Sequence, residues 1–265
     1  MVTDRLDVTA VDGTPIAVWI TGRGPAFVMV HGSIADHTTF DSFVAVLADH
    51  FTTYAMDRRG FGDTPDVDDY TIELDFADVA AVVDAVAART GGPVVLWGHS
   101  YGANCAIGGA ARTGNISHLV VYEPSLGLSY PPGSIERVET ALAHGDHDAV
   151  IATVLTDILE MTAEDVDALR ADPLWPVRLA AAPTVPRECR VERDWTYRRR
   201  QFDSIAAPTL LLTGSESVAD IVGATQRAAT AIPDARIRVL DGHGHFAHKS
   251  DAPMVAAIVR EFVAS

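Results

Sequence analysis

The sequence predicts an α/β fold: an eight-stranded, mostly parallel sheet flanked by helices and interrupted once by a helical insert. Three observations point there. Short apolar, β-branched runs alternate with longer segments of helical period. Several of these runs are apolar almost from end to end, as strands are when helices cover both faces of their sheet. The alternation then fails once, between about Leu126 and Asp203, where no run reads as a strand.

Taken in order, Leu6–Ala10 and Ile16–Ile20 flank Asp12-Gly13, a strong hairpin signal. Ala26–Val30 is the first fully apolar strand, and a helix is expected near Thr38–Ala48. Thr52–Met56 follows, then a helix over Ile72–Arg89, with Thr71 as its N-cap and Gly91-Gly92 as its stop. Pro93–Trp97 is a strand, Tyr101–Arg112 a helix and His118–Tyr122 a strand. The segment 126–203 is helical in pattern and punctuated by Pro131-Pro132, Pro173, Pro176, Pro183 and Pro186. Strands over Thr209–Thr213 and Arg236–Leu240 then alternate with helices near Val218–Ala231 and Ala252–Ala264. The expected division is a core of 1–125 and 204–265, with 126–203 as a helical cap over the C-terminal strand ends.

The chain has 265 residues, 48% of them apolar, enough to bury one sizeable core. Lys and Arg total 20 against 36 Asp and Glu, a formal net charge of −16. That balance argues against nucleic acid, whose phosphates need a positive footprint, and against anionic membrane surfaces. Two distant cysteines, Cys105 and Cys189, make a disulfide framework unlike this chain and a reducing cytoplasm its expected location. The N-terminus carries no basic region followed by an apolar stretch, so no signal peptide is read there. No run reaches the length of a membrane span.

Gly98-His99-Ser100-Tyr101-Gly102 is a G-x-S-x-G motif with a strand before it and a helical run after it. That context is what gives the motif meaning, since a sharp strand–turn–helix exposes a strained serine at the top of a sheet. The glycines are needed because side chains two residues either side would collide in so tight a turn. A helix N-terminus also favours developing negative charge. Ser100 is therefore the expected nucleophile.

With His31-Gly32-Ser33 after strand three, Asp57–Gly62 after strand four, Gly98–Gly102, and Gly244-His245 near the end, the chain resembles the α/β-hydrolase superfamily, in its capped esterase and lactonase-like branch. The resemblance implies His245 as the base that a serine hydroxyl needs at neutral pH. It implies an oxyanion hole from two backbone N–H groups, those of Ser33 and Tyr101, worth on the order of 3 kcal/mol each. The acid departs from the family pattern. The usual Gly-x-x-Asp frame after strand seven reads Gly214-Ser215-Glu216-Ser217 here. Glu123, which ends strand six, is the favoured acid, because an ionised carboxylate beneath a cap needs a partner and His245 is one. Glu216 and Asp220 are the alternatives. His243, His245 and His248 have no acidic or cysteine partner at a recognised spacing, so no metal is expected; His243 and His248 read as turn or surface histidines, and His99 as structural.

A serine nucleophile excludes the aspartate-based dehalogenases and epoxide hydrolases of the superfamily. The expected reaction is acyl transfer on a small to medium, partly apolar ester or lactone, through an acyl-enzyme and without cofactor. Leu128, Trp175 and Trp195 are the expected pocket residues, and the protein a monomer or homodimer acting on a small molecule. Two rivals use the same scaffold: a carbon–carbon bond hydrolase, and a non-catalytic ligand-binding homologue.

Overall fold

Two antiparallel pairings open the sheet, and every later strand joins it in parallel. The computed structural model describes residues 4–265. Its strands are β1 (Asp4–Thr9), β2 (Pro15–Gly22), β3 (Ala26–Val30), β4 (Thr52–Met56), β5 (Val94–His99), β6 (Ile116–Tyr122), β7 (Thr209–Gly214) and β8 (Arg236–Leu240). They form one eight-stranded sheet in the order β1-β2-β4-β3-β5-β6-β7-β8. The β1–β2 hairpin turns at Gly13, whose φ of 90° suits a residue without Cβ.

Helices cover both faces. On one lie α2 (Ile72–Thr90) and α3 (Tyr101–Ala110), which share a core with Val94, Leu96, Leu119 and Val121. On the other, α1 (Asp41–Leu47) packs with Val95, Trp97 and Val120. Alternate residues of β5 thus feed opposite cores, which is why that run is apolar throughout. Helix α2 ends at Gly91 in the left-handed conformation, φ 77°. Thr71 sits at its N-cap in extended backbone, but its side chain makes no capping bond, contrary to expectation.

Five helices fill the gap between β6 and β7: α4 (Ser134–Ala143), α5 (His147–Asp157), α6 (Ala163–Arg170), α7 (Trp175–Ala180) and α8 (Val185–Asp194). Local signals set their starts. Asp146 caps α5, Thr162 and Asp165 form a reciprocal capping box on α6, and Pro176 and Pro186 occupy the first turns of α7 and α8. These helices share a core of their own around Ile151, Leu155, Trp175 and Val185, which Ile34 joins from the loop after β3. Helices α9 (Ala219–Ala231), α10 (Ala247–Ser250) and α11 (Ala252–Val263) complete the chain; α11 packs beside α1. No described helix is long and apolar enough to cross a membrane.

Candidate active site

Ser100 lies between β5 and α3 with φ 56° and ψ −126°, a conformation that L-residues rarely adopt. Such strain costs on the order of 1–3 kcal/mol and persists only where the surroundings impose it. Here they do. The Ser100 N–H donates to Tyr122 O at 2.9 Å. A Cβ on Gly98 would stand 2.5 Å from Gly102 O, and one on Gly102 would stand 2.2 Å from His31 O. So close a turn has room only for hydrogen on either side of the serine.

The loop after β3 approaches from the other side. A Cβ on Gly32 would lie 2.9 Å from the Ser100 Cβ. His31 holds that loop: its Nδ1 donates to Gly32 O at 2.8 Å, while its Nε2 accepts from Arg58 N at 3.1 Å. Such a pair of bonds needs a neutral ring, and burial, with the Arg58 charge, pushes His31 down to about 3. Ser33, from the same loop, lines the cavity in front of Ser100. Tyr101 N–H stands at the first position of α3, where a helix offers no partner of its own. The Tyr101 side chain turns away into the core, its hydroxyl 2.9 Å from that of Tyr70.

Glu123 follows β6, fully buried and at a second positive φ, 51°. Its Oε1 accepts from Gly214 N at 2.7 Å, Thr213 Oγ1 at 3.2 Å and Ser217 Oγ at 2.5 Å. Its Oε2 faces His245 Nδ1 at 2.5 Å. Burial opposes the charge, yet the hydrogen bonds and charge of His245, with Ser217 and Gly214, hold the carboxyl below its ordinary value. The His245 loop is pinned at two further points. Tyr122 OH donates to Gly244 O, and His99 Nε2 donates to His245 O at 2.9 Å. His99 is itself neutral: burial, then the neighbouring His248 and His245, drive it well below the ordinary value.

Ser100 and His245 line one cavity, with Gly32, Ser33, His99 and Phe246. Among the described residues, no hydrogen bond is made to the Ser100 hydroxyl. The far wall comes from the segment between β6 and β7 and from α9: Leu128, Val154, Ile158, Leu159 and Ile221 give it an apolar lining. Three polar groups interrupt it. Ser125 Oγ accepts from Asn104 Nδ2 at 3.0 Å and donates to Glu192 Oε1 at 2.5 Å. Tyr130 OH donates to Glu192 Oε2 at 2.5 Å. Burial outweighs these bonds and raises Glu192 to about 7. Arg178 is the third.

Of the expected residues, Ser100, His245, Ser33 and Leu128 meet at this cavity, with Glu123 behind His245. Glu216 is exposed, and Asp220 Oδ2 accepts from Ser129 N at 2.5 Å. Trp175 and Trp195 stand away from the cavity. Trp175 packs inside the core of α4–α8, and Trp195 meets Tyr197 edge-on at 5.3 Å over the sheet core. Large aromatic side chains are drawn into such packing because it buries most of their area. His248 is no surface histidine: it is fully buried against Phe40, Phe43 and Trp97. His243 lies on the loop surface, 3.8 Å from Asp251. Sequence reasoning missed Arg178 and Glu192. Arg178 did leave a signal, as the lone charge in the apolar stretch from Leu174 to Ala182.

A model of the alpha/beta hydrolase family matches residues 27–258. An alpha/beta hydrolase structure from Sphaerobacter thermophilus is 32% identical, covers 97% of this chain and 99% of its own, and superposes with a TM-score of 0.84. A pimeloyl-[acyl-carrier protein] methyl ester esterase of Stenotrophomonas maltophilia is 28% identical over 93% of this chain and 95% of its own. A 2-(acetamidomethylene)succinate hydrolase of Mesorhizobium japonicum is 26% identical over 91% of this chain and 89% of its own.

Proposed function

This chain belongs to the alpha/beta hydrolase family, and from that premise we propose that it is a serine hydrolase cleaving a small to medium, partly apolar ester or lactone. One observation carries the reading: a serine strained to positive φ shares a cavity with a histidine whose Nδ1 is held by a buried carboxylate. Strain at Ser100 has no structural benefit of its own, and it presents the hydroxyl at the cavity floor.

In this reading Ser100 Oγ attacks the carbonyl while His245 takes its proton. Glu123 fixes the ring with its proton on Nδ1, leaving the other nitrogen as base, and stabilises the imidazolium that forms. The contact between Ser100 and His245 tightens when substrate arrives, as is usual for catalytic hydrogen bonds in unliganded enzymes. The N–H groups of Ser33 and Tyr101 receive the oxyanion. His245 then returns the proton to the leaving alcohol, and water activated by the same ring hydrolyses the acyl-enzyme. Residues 126–203 act as a cap whose apolar side chains exclude water and receive the substrate's apolar part. Kinship with an esterase and with a hydrolase of a succinate derivative supports hydrolytic chemistry.

A fluorophosphonate probe tests this directly. It is expected to label the protein near neutral pH, to lose its target in Ser100→Ala, and to block a burst of p-nitrophenol from p-nitrophenyl esters. A folded protein that resists the probe is not a serine hydrolase.

A further inference from the structure

Arg178 is 4% exposed, and its guanidinium makes no hydrogen bond or ion pair among the described residues. Its Nε is buried without a partner. Arg178 nonetheless lines the cavity that holds Ser100 and His245. A buried charge with no partner costs several kcal/mol, and a fold that needed only packing there would do better with leucine. The other buried arginines of this protein are paired. Arg58 reaches Asp75 at 3.0 Å and Glu188 at 2.6 Å, and Arg59 reaches Asp78 at 2.5 Å.

The surroundings reinforce the deficit of negative charge. Lys249 is close enough for the Arg178 charge to act on it, and Asp172, whose charge acts on both, stands 3.9 Å from Lys249 Nζ. Asp172 thus answers two cations with one charge. Glu192, in the same cavity, is already occupied by Ser125 and Tyr130 and turns to neither.

We propose that the substrate cleaved at Ser100 carries a free carboxylate, and that Arg178 binds it. This deepens the hydrolase reading and rests on it. The planar guanidinium fork matches a carboxylate with two parallel hydrogen bonds. One free positive charge also matches one carboxylate. A phosphoryl group, with nearly two charges, would be left half neutralised beside Glu192. The apolar wall of Leu128, Ile158 and Leu159 suits the hydrocarbon between the two ends of such a molecule.

The test uses Ser100→Ala protein, which binds without turnover. Monomethyl succinate, glutarate and adipate are titrated calorimetrically beside their dimethyl esters. At least one monoester is expected to bind tenfold or more tighter than its neutral counterpart, and the preference to vanish when Arg178→Met is added. No preference in any pair, with or without binding, overturns the proposal, as does a preference that survives in Arg178→Met. Should that variant not fold, Arg178→Lys decides: a preference undiminished by loss of the fork also overturns it. Because no turnover is involved, failure here leaves the fluorophosphonate result untouched, and failure of the labelling leaves this one readable.

Discussion

At the scale of single residues, Glu123 is held by constraints that agree with one another. It takes a left-handed backbone, is cut off from water, and spends Oε1 on three donors from β7 and the loop after it. That leaves Oε2 free for one task, the bond to His245 Nδ1. Replacing the acid with its amide keeps the shape and lets the ring take the wrong tautomer, which in serine hydrolases costs on the order of 10⁴-fold in turnover. Glu123→Gln is therefore expected to lower kcat by roughly 10³–10⁴-fold, while Glu216→Gln leaves it nearly unchanged. Steady-state rates on one p-nitrophenyl ester compare the two, and a reversed order moves the acid to the loop after β7.

At the scale of elements, the turn from β5 into α3 is built from exclusions. Gly102 lies in the first turn of a helix, where alanine ordinarily stabilises by up to about 1 kcal/mol. Here its Cβ would meet His31 O at 2.2 Å, so Gly102→Ala must push the loop after β3 away from Ser100. We expect it to destabilise the protein by roughly 1–3 kcal/mol and to slow fluorophosphonate labelling. Gly92→Ala, with nothing within 4 Å of the added atom, is the control and is expected to be neutral. Equal urea midpoints for the two variants would count against this account of the turn.

At the scale of the whole molecule, buried charges and neutral histidines tie the sheet to the helices above it. Arg58, in the loop after β4, joins Asp75 on α2 to Glu188 on α8. Arg58→Ala strands both carboxylates in the interior and is expected to cost roughly 3–5 kcal/mol, read from urea unfolding. The pH dependence follows from groups spread through the fold. His31 and His248 are pushed down to about 3 by burial, and His99 falls well below its ordinary value for the same reason. Each is neutral when folded and protonated when unfolded below about pH 6, so stability falls as pH drops. Glu192, raised to about 7 by burial, works the other way: it keeps a proton that the unfolded chain releases above about pH 4.5. Asp78, raised to about 6 by burial, likewise keeps its proton. Near pH 5 unfolding takes up three protons and gives back two, so these groups lower stability by roughly 1.4 kcal/mol per pH unit of acidification. His248→Met removes one of the three and is expected to flatten the slope. A slope left unchanged in His248→Met would contradict the assignment of His248 as buried and neutral.

All eight strands, and the helices flanking the sheet other than the four-residue α10, could be read from the sequence to within a few residues at each end. The reason is local: burial on both faces forces continuous apolar runs, and helix stops such as Gly91 need a left-handed backbone that glycine supplies. The strained serine was legible for the same reason, because a turn that tight fixes its glycines in sequence. The sequence favoured Glu123 as the carboxylate facing His245 but left Glu216 and Asp220 open, because which distant side chains meet is decided by the fold. Glu123 and His245 are 122 positions apart, and only the pairing of β6 with β7 brings the carboxylate against Gly214, Ser217 and the histidine loop. Trp175 and Trp195 looked like pocket walls because aromatic residues suit pockets and cores alike, and packing, not composition, chose the core. Arg178 carries no motif. Its meaning lies in the partners it lacks, and an absence of neighbours exists only once the chain has folded around it.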